Sequence, residues 1–281
     1  MNFKTKFWPN RSEKYDMGLW SVIALGIGSV VGAGIFALLG QVIMSAGYWT
    51  YGAFAVAGTA ALFSGYSYGE LAARYPDAGG LTDYFRRAFS CKCVSGTLSL
   101  IYMLTSAVSI SMMAKSFGIY FTALLKGTDY SWMTVNEFAA VLIVGLALLN
   151  MMSAGDVGRA EILLVTLKIL ILGSLIGAAM WNADLTLSNV LPQPTLMSFW
   201  GAIGVTFFAY AGYGIITNAA ADVKNPKFTI AAAIYLTIII VALLYTSLAY
   251  IILKYIPEAD LTANADTAIT IAAEKLFGKW G

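Results

Sequence analysis

The sequence predicts an all-α membrane protein with a five-plus-five inverted-repeat fold, discontinuous in its first and sixth spans and incomplete in its second repeat. Three observations carry the prediction. Of 281 residues, 59% are hydrophobic and 11% charged, against roughly 45–50% and about 25% in ordinary soluble domains. Charge-poor runs of about 20 residues, enough to cross a hydrocarbon core of about 30 Å, recur along the chain. Two of those runs, five segments apart, carry glycines at mid-membrane depth.

The runs fall at 17–44, 48–70, 94–125, 135–154, 160–181, 197–220 and 229–253. Pro76-Asp77-Ala78-Gly79-Gly80 and Asn225-Pro226 lie between runs, where the chain turns without losing helical hydrogen bonds. The basic start, with Lys4, Lys6, Arg11 and Lys14, resembles a signal peptide, but the run after it far exceeds a signal core of about 7–15 residues. The expected organisation is a cytoplasmic tail at 1–16, a first five-helix repeat at 17–181, and the start of a second inverted repeat at 182–281. An amphipathic segment at 263–277 reads as an external loop helix, and its abrupt end suggests a chain cut short.

Orientation follows from the basic residues. With the N-terminus cytoplasmic, that side holds Lys4, Lys6, Arg11, Lys14, Arg74, Arg86, Arg87, Lys92, Arg159, Lys224 and Lys227, and the far side Lys126, Lys254, Lys275 and Lys279. This asymmetry favours an inward N-terminus, in a plasma or bacterial inner membrane. Trp20 at the inner boundary, and Trp49, Trp132, Trp181 and Trp200 at the outer one, fit an aromatic belt or plain core packing.

Composition also excludes chemistry. The net charge of +2 comes without a basic cluster on a polar background, which leaves a nucleic-acid partner nothing to hold. Histidine is absent and cysteine occurs only as Cys91 and Cys93, so no zinc set, Cys/His nucleophile or disulfide framework is expected. No catalytic residue, metal ligand or cofactor is assigned.

The first run is about 42 Å long as a straight helix, more than the core requires. Gly26, Gly28, Gly32, Gly34 and Gly40 lie in it, each costing about 1 kcal/mol relative to alanine, and a break is expected near Gly32 to Gly34. Close helix packing is the alternative, since Gly28 and Gly32 have small-xxx-small spacing. Against it stands Tyr210-Ala211-Gly212-Tyr213-Gly214 in the sixth run, because paired interrupted helices point to a transporter of inverted repeats. A break frees amides at one half-helix and carbonyls at the other, in a place where unpaired groups cost several kcal/mol. A zwitterion matches both.

The sequence resembles the amino acid-polyamine-organocation (APC) transporters along nearly its whole length. The resemblance rests on Gly28-Ser29-Val30-Val31-Gly32-Ala33-Gly34-Ile35-Phe36, on Tyr68-Gly69-Glu70-Leu71-Ala72 followed by Pro76-Asp77-Ala78-Gly79-Gly80, on Lys168, and on Phe207-Phe208-Ala209-Tyr210-Ala211-Gly212-Tyr213 followed by Asp222-Val223-Lys224-Asn225-Pro226. It implies that the Ala33 and Gly34 amides face a substrate carboxylate and that the carbonyls of Val30, Phe208 and Ala211 face its ammonium. Gly28, Gly32 and Gly212 are then helix-break residues. Tyr210 would be an aromatic gate, or packing. Gly214 stands where relatives often carry an acidic side chain, and relatives usually have about twelve spans where this chain ends after seven.

Lys168 lies amid apolar residues of the fifth run. A mid-helix lysine costs about 2.5–3.5 kcal/mol to insert and calls for an interior partner. The resemblance implies that it takes the place of sodium in sodium-driven members and couples transport to protons, a role suited to a desolvated lysine. The alternative is a permanently charged bridge to a free carbonyl of span 1. Lys115 reads as snorkelling to the interface ahead of a pathway role, Glu70 and Arg74 as an i,i+4 pair ahead of a gating switch, and Cys91 and Cys93 as reduced thiols or palmitoylation sites.

The expected function is secondary transport of an amino acid or related amine, by proton symport or exchange. The alternatives are a truncated binding or accessory protein without transport, and a half-transporter completed by a separate polypeptide. A membrane enzyme has least support, since no nucleophile elbow or paired carboxylates occur at membrane depth.

Overall fold

A computed structural model describes residues 17–76, 79–126, 132–149, 151, 154–181, 193–223, 225–255 and 267–278. The tail at 1–16, Asp77, Ala78, Lys224, Lys279 and residues 263–266 lie outside them, as do the side chains of Ala33, Lys126, Trp132 and Arg159.

Every described element is helical. In chain order these are α1 (Leu19–Val30), α2 (Ala33–Ala46), a single 3-10 turn (Gly47–Trp49), α3 (Thr50–Arg74), α4 (Gly80–Ala88), α5 (Lys92–Lys126), α6 (Trp132–Leu149), α7 (Ala154–Trp181), α8 (Leu196–Tyr210), a longer 3-10 segment (Ala211–Asp222), α9 (Pro226–Tyr255) and α10 (Ala268–Phe277). Among the described residues, four helices are long and apolar enough to cross a membrane, or five if the bent pair Leu19–Val30 and Gly34–Arg74 counts as one. The remaining expected runs map onto α3, within that pair, and α6, which is shorter and apolar. Trp20, Trp49, Trp181 and Trp200 are all exposed, as belt tryptophans are.

The core sits where both broken spans meet α3 and α9. The α3 helix packs along α9 and α8, α2 along α8, and α1 along α9 and the 3-10 segment. Tyr210, Tyr245, Phe54, Ile35, Leu39 and Ile43 are fully buried there. Small residues permit the approach: a Cβ at Gly65 would lie 2.7 Å from Ile238 Cδ1, and one at Gly58 would lie 2.9 Å from Ala242 Cβ. Such close backbones supply the contacts that drive association in lipid, where hydrophobic burial contributes little.

The α4 helix is an addition to the expected scheme, in which this stretch was a glycine-bearing connection. It starts at Gly80, whose φ of +53° favours glycine and whose Cβ would overlap Asn218 Oδ1 of the 3-10 segment. Asp83, in its first turn, accepts from Arg86 at 2.5 Å and from Arg87 at 2.6 Å. The Arg87 bond foremost holds the Asp83 carboxyl below the usual carboxylate range, with burial opposing and Arg86 assisting. The glycine motif therefore docks a short helix onto the 3-10 segment of the second broken span at Asn218.

Candidate functional site

The break in span 1 begins as α1 ends. The Val31 amide donates to Ile27 O at 2.7 Å, and the Gly32 amide turns back to Val30 O at 2.9 Å. The α2 helix then starts at Ala33 with Gly32 as N-cap (φ −135°, ψ −144°), and no side chain caps it. The leading amides, with Ala33 and Gly34 first, form a helix N-terminus suited to an anion. The interruption is thus Val31-Gly32, slightly before the expected position, and Gly28 lies within the last turn of α1.

Span 6 is interrupted differently. The α8 helix is capped at its start by Thr195, whose hydroxyl accepts from the Ser198 amide at 3.2 Å, and it ends at Tyr210 with the Ala211 amide on Phe208 O. The chain continues as a 12-residue 3-10 segment, well beyond the usual three or four residues. Its looser bonding is a known mark of strain or hinges.

The two broken spans run antiparallel. The Met17 amide donates to Asp222 O at 3.0 Å at one end of α1, and Ser29 Oγ donates to Gly212 O at 2.9 Å at the other. Just beyond, Gly34 lies against Ala209, where a Cβ would come within 2.8 Å of Ala209 Cα. A Cβ at Gly212 would sit 2.6 Å from Ser29 O and 2.8 Å from Val30 N. The breaks therefore touch backbone to backbone, a proximity that glycine alone allows.

Several expected site atoms already have protein partners. Val30 O accepts from Tyr245 Oη at 2.9 Å as well as from Gly32, and Phe208 O accepts from Ala211. Lys168 Nζ donates to Val31 O at 3.2 Å, which places it on a carbonyl of the break itself. Tyr210 is fully buried; its hydroxyl donates to Phe54 O at 3.0 Å and its ring leans on Tyr245 at 5.4 Å. Gly214 has a local reason, since Tyr68 Cε1 would lie 3.0 Å from a Cβ there while its ring meets Tyr213 edge-on at 5.6 Å.

Sequence reasoning passed over Ser29 and Tyr245. Ser29 stands inside the glycine stretch as its one hydroxyl, and Tyr245 is a phenol deep in an apolar run, where its hydroxyl requires a partner. Elsewhere, no ion pair joins Glu70 to Arg74 among the described residues, so that expected pairing is corrected: both residues are exposed on α3. Lys115 is exposed and lines a cavity of about 200 Å³ with Gln41, Ser116 and Tyr120. Cys91 and Cys93 are exposed free thiols.

Two interrupted helices joined at their breaks inside an apolar helical bundle define an integral membrane protein built around a polar backbone centre. The model of the amino acid permease family matches residues 21–277, and the chain belongs to that family. It is 42% identical to the inner membrane transport protein YbaT of Escherichia coli K12, over 94% of this chain and 62% of that protein. It is 28% identical to the branched-chain amino acid permease BcaP of Bacillus subtilis 168, over 96% of this chain and 61% of that one. With the serine/threonine exchanger SteT of the same bacterium it shares 22% identity, at 95% and 61% coverage. The chain thus spans about three-fifths of the length of these curated relatives, which are transporters and not enzymes.

Proposed function

We propose that this chain carries the amino-acid-binding centre of a secondary transporter for amino acids or related amines, working by proton symport or exchange. The observation that supports it is the paired break: an uncapped α2 N-terminus beside span 6, with Ser29 bonded to Gly212 O. The carboxylate sits on the Ala33 and Gly34 amides, as helix N-termini favour. The ammonium sits among the carbonyls of Val30, Phe208 and Ala211. Lys168 carries the coupling proton beside the break, and Tyr210 gates the site at the expense of its bond to Phe54 O. The N-terminus is cytoplasmic, and the substrates are ones whose head groups these backbone atoms read.

A thermal-shift screen of the purified protein with the common amino acids and polyamines tests the binding claim. At a ligand concentration of about 100 times Kd, stabilisation of roughly 2.7 kcal/mol is expected, seen as a raised Tm. No rise with any of them contradicts the proposal. Reconstitution on its own against reconstitution with a polypeptide supplying further spans separates a self-sufficient carrier from a half-transporter.

A further inference from the structure

We infer that the Tyr245 hydroxyl is an internal competitor for the substrate ammonium at the Val30 carbonyl, a positioning role that rests on the amino-acid site proposed above. A carbonyl oxygen has two lone pairs. At Val30 one receives the Gly32 amide at 2.9 Å and the other receives Tyr245 Oη at 2.9 Å. Both positions are taken by the protein itself.

The phenol is held there. Tyr245 is fully buried, edge-on to Phe54 at 5.9 Å and tilted against Tyr210 at 5.4 Å, and Tyr210 is itself tied to Phe54 O at 3.0 Å. Spans 2, 6 and 7 thus fix the ring, while the broken span 1 supplies the acceptor. An unpaired acceptor in so dry a place carries a desolvation penalty, which this hydroxyl removes.

An ammonium seeking Val30 O must displace one of the two donors. The Gly32 amide is fixed by the backbone of the break, whereas the Tyr245 proton leaves its acceptor by rotation about a single C–O bond. Tyr245 is the donor that yields. The exchange selects for charge: an ammonium forms a bond roughly twice as strong as a neutral donor does, so it displaces the phenol where a neutral amide does not.

The test is equilibrium binding of radiolabelled L-leucine, L-serine, L-threonine and L-arginine to the purified 281-residue chain and to its Tyr245→Phe variant. The variant keeps the ring and removes the competing donor. It is expected to melt lower without amino acid and to bind the ligand about fivefold tighter, the worth of one ordinary hydrogen bond. A hydroxyl that serves stability alone lowers Tm without tightening binding. Unchanged or weaker binding by the variant, with binding by the native chain intact, overturns the inference and leaves the amino-acid site standing. Binding of none of the four by the native chain overturns both. If the variant does not fold, 3-fluorotyrosine at position 245, a more acidic phenol and stronger donor, is expected to weaken binding, and unchanged or tighter binding overturns the inference.

Discussion

At Gly212 a hydrogen atom is all that separates span 6 from the backbone of span 1. The nearest atoms to an added Cβ are Ser29 O, Ser29 C and Val30 N, and backbone cannot rotate away as a flexible side chain does. Gly212→Ala is therefore expected to lower stability by about 1–3 kcal/mol, the usual range for overpacking, and to weaken amino-acid binding by parting the breaks; a Tm equal to that of the native chain contradicts this contact. The glycines were legible in the sequence because each is anomalous inside an apolar helix. Ser29 and Tyr245 were not, since their partners lie 183 and 215 residues away and only the packing of distant spans brings them together. Tyr210 was legible as aromatic at the break, while its burial against Phe54 and Tyr245 depends on which face of α8 meets α3.

Among the elements, α7 reaches the break with the Lys168 side chain. Lys168 reaches Val31 O, a contact shared by the proton-coupling role and by a fixed charged bridge to span 1, and function separates the two. Lys168→Ala is expected to leave the protein inserted, because removing a mid-membrane charge lowers the insertion penalty, and to weaken the pH dependence of amino-acid uptake in proteoliposomes. Unchanged pH dependence assigns Lys168 to the bridge. The break between α1 and α2 was placed within about a residue or two by glycine content, because helix propensity is local. The α4 helix was missed: nine residues are too few for a membrane run, and its position is set by Gly80 meeting Asn218 across the chain. The failed pairing of Glu70 with Arg74 has a similar cause, since i,i+4 spacing permits a surface pair worth only a few tenths of a kcal/mol and solvent exposure readily outweighs it.

Across the whole molecule, apolar surface faces outward. In the most apolar stretch of Lys92–Leu125 only 6% of residues are buried, and Leu100, Ile101, Met103, Leu104, Val108 and Ile110 are exposed, as a helix against lipid or further spans requires. The membrane class was legible from composition alone, since 59% hydrophobic residues with 11% charged cannot make a soluble surface. The antiparallel course of the two broken spans was legible too, since they lie five crossings apart; their contacts were not, because no local pattern states which residues meet, and Met17 with Asp222 and Ser29 with Gly212 fix them. In the proposed function these meeting backbones bind both charged ends of an amino acid. Isothermal titration of the purified chain with L-leucine, L-serine and L-arginine, each beside its carboxamide and its des-amino acid, tests it most directly. At least one free amino acid is expected to bind, and both its blocked forms to bind about tenfold more weakly or worse, as loss of a charge-assisted hydrogen bond of roughly 1.5–3 kcal/mol requires; equal affinity for a blocked form contradicts two-ended binding.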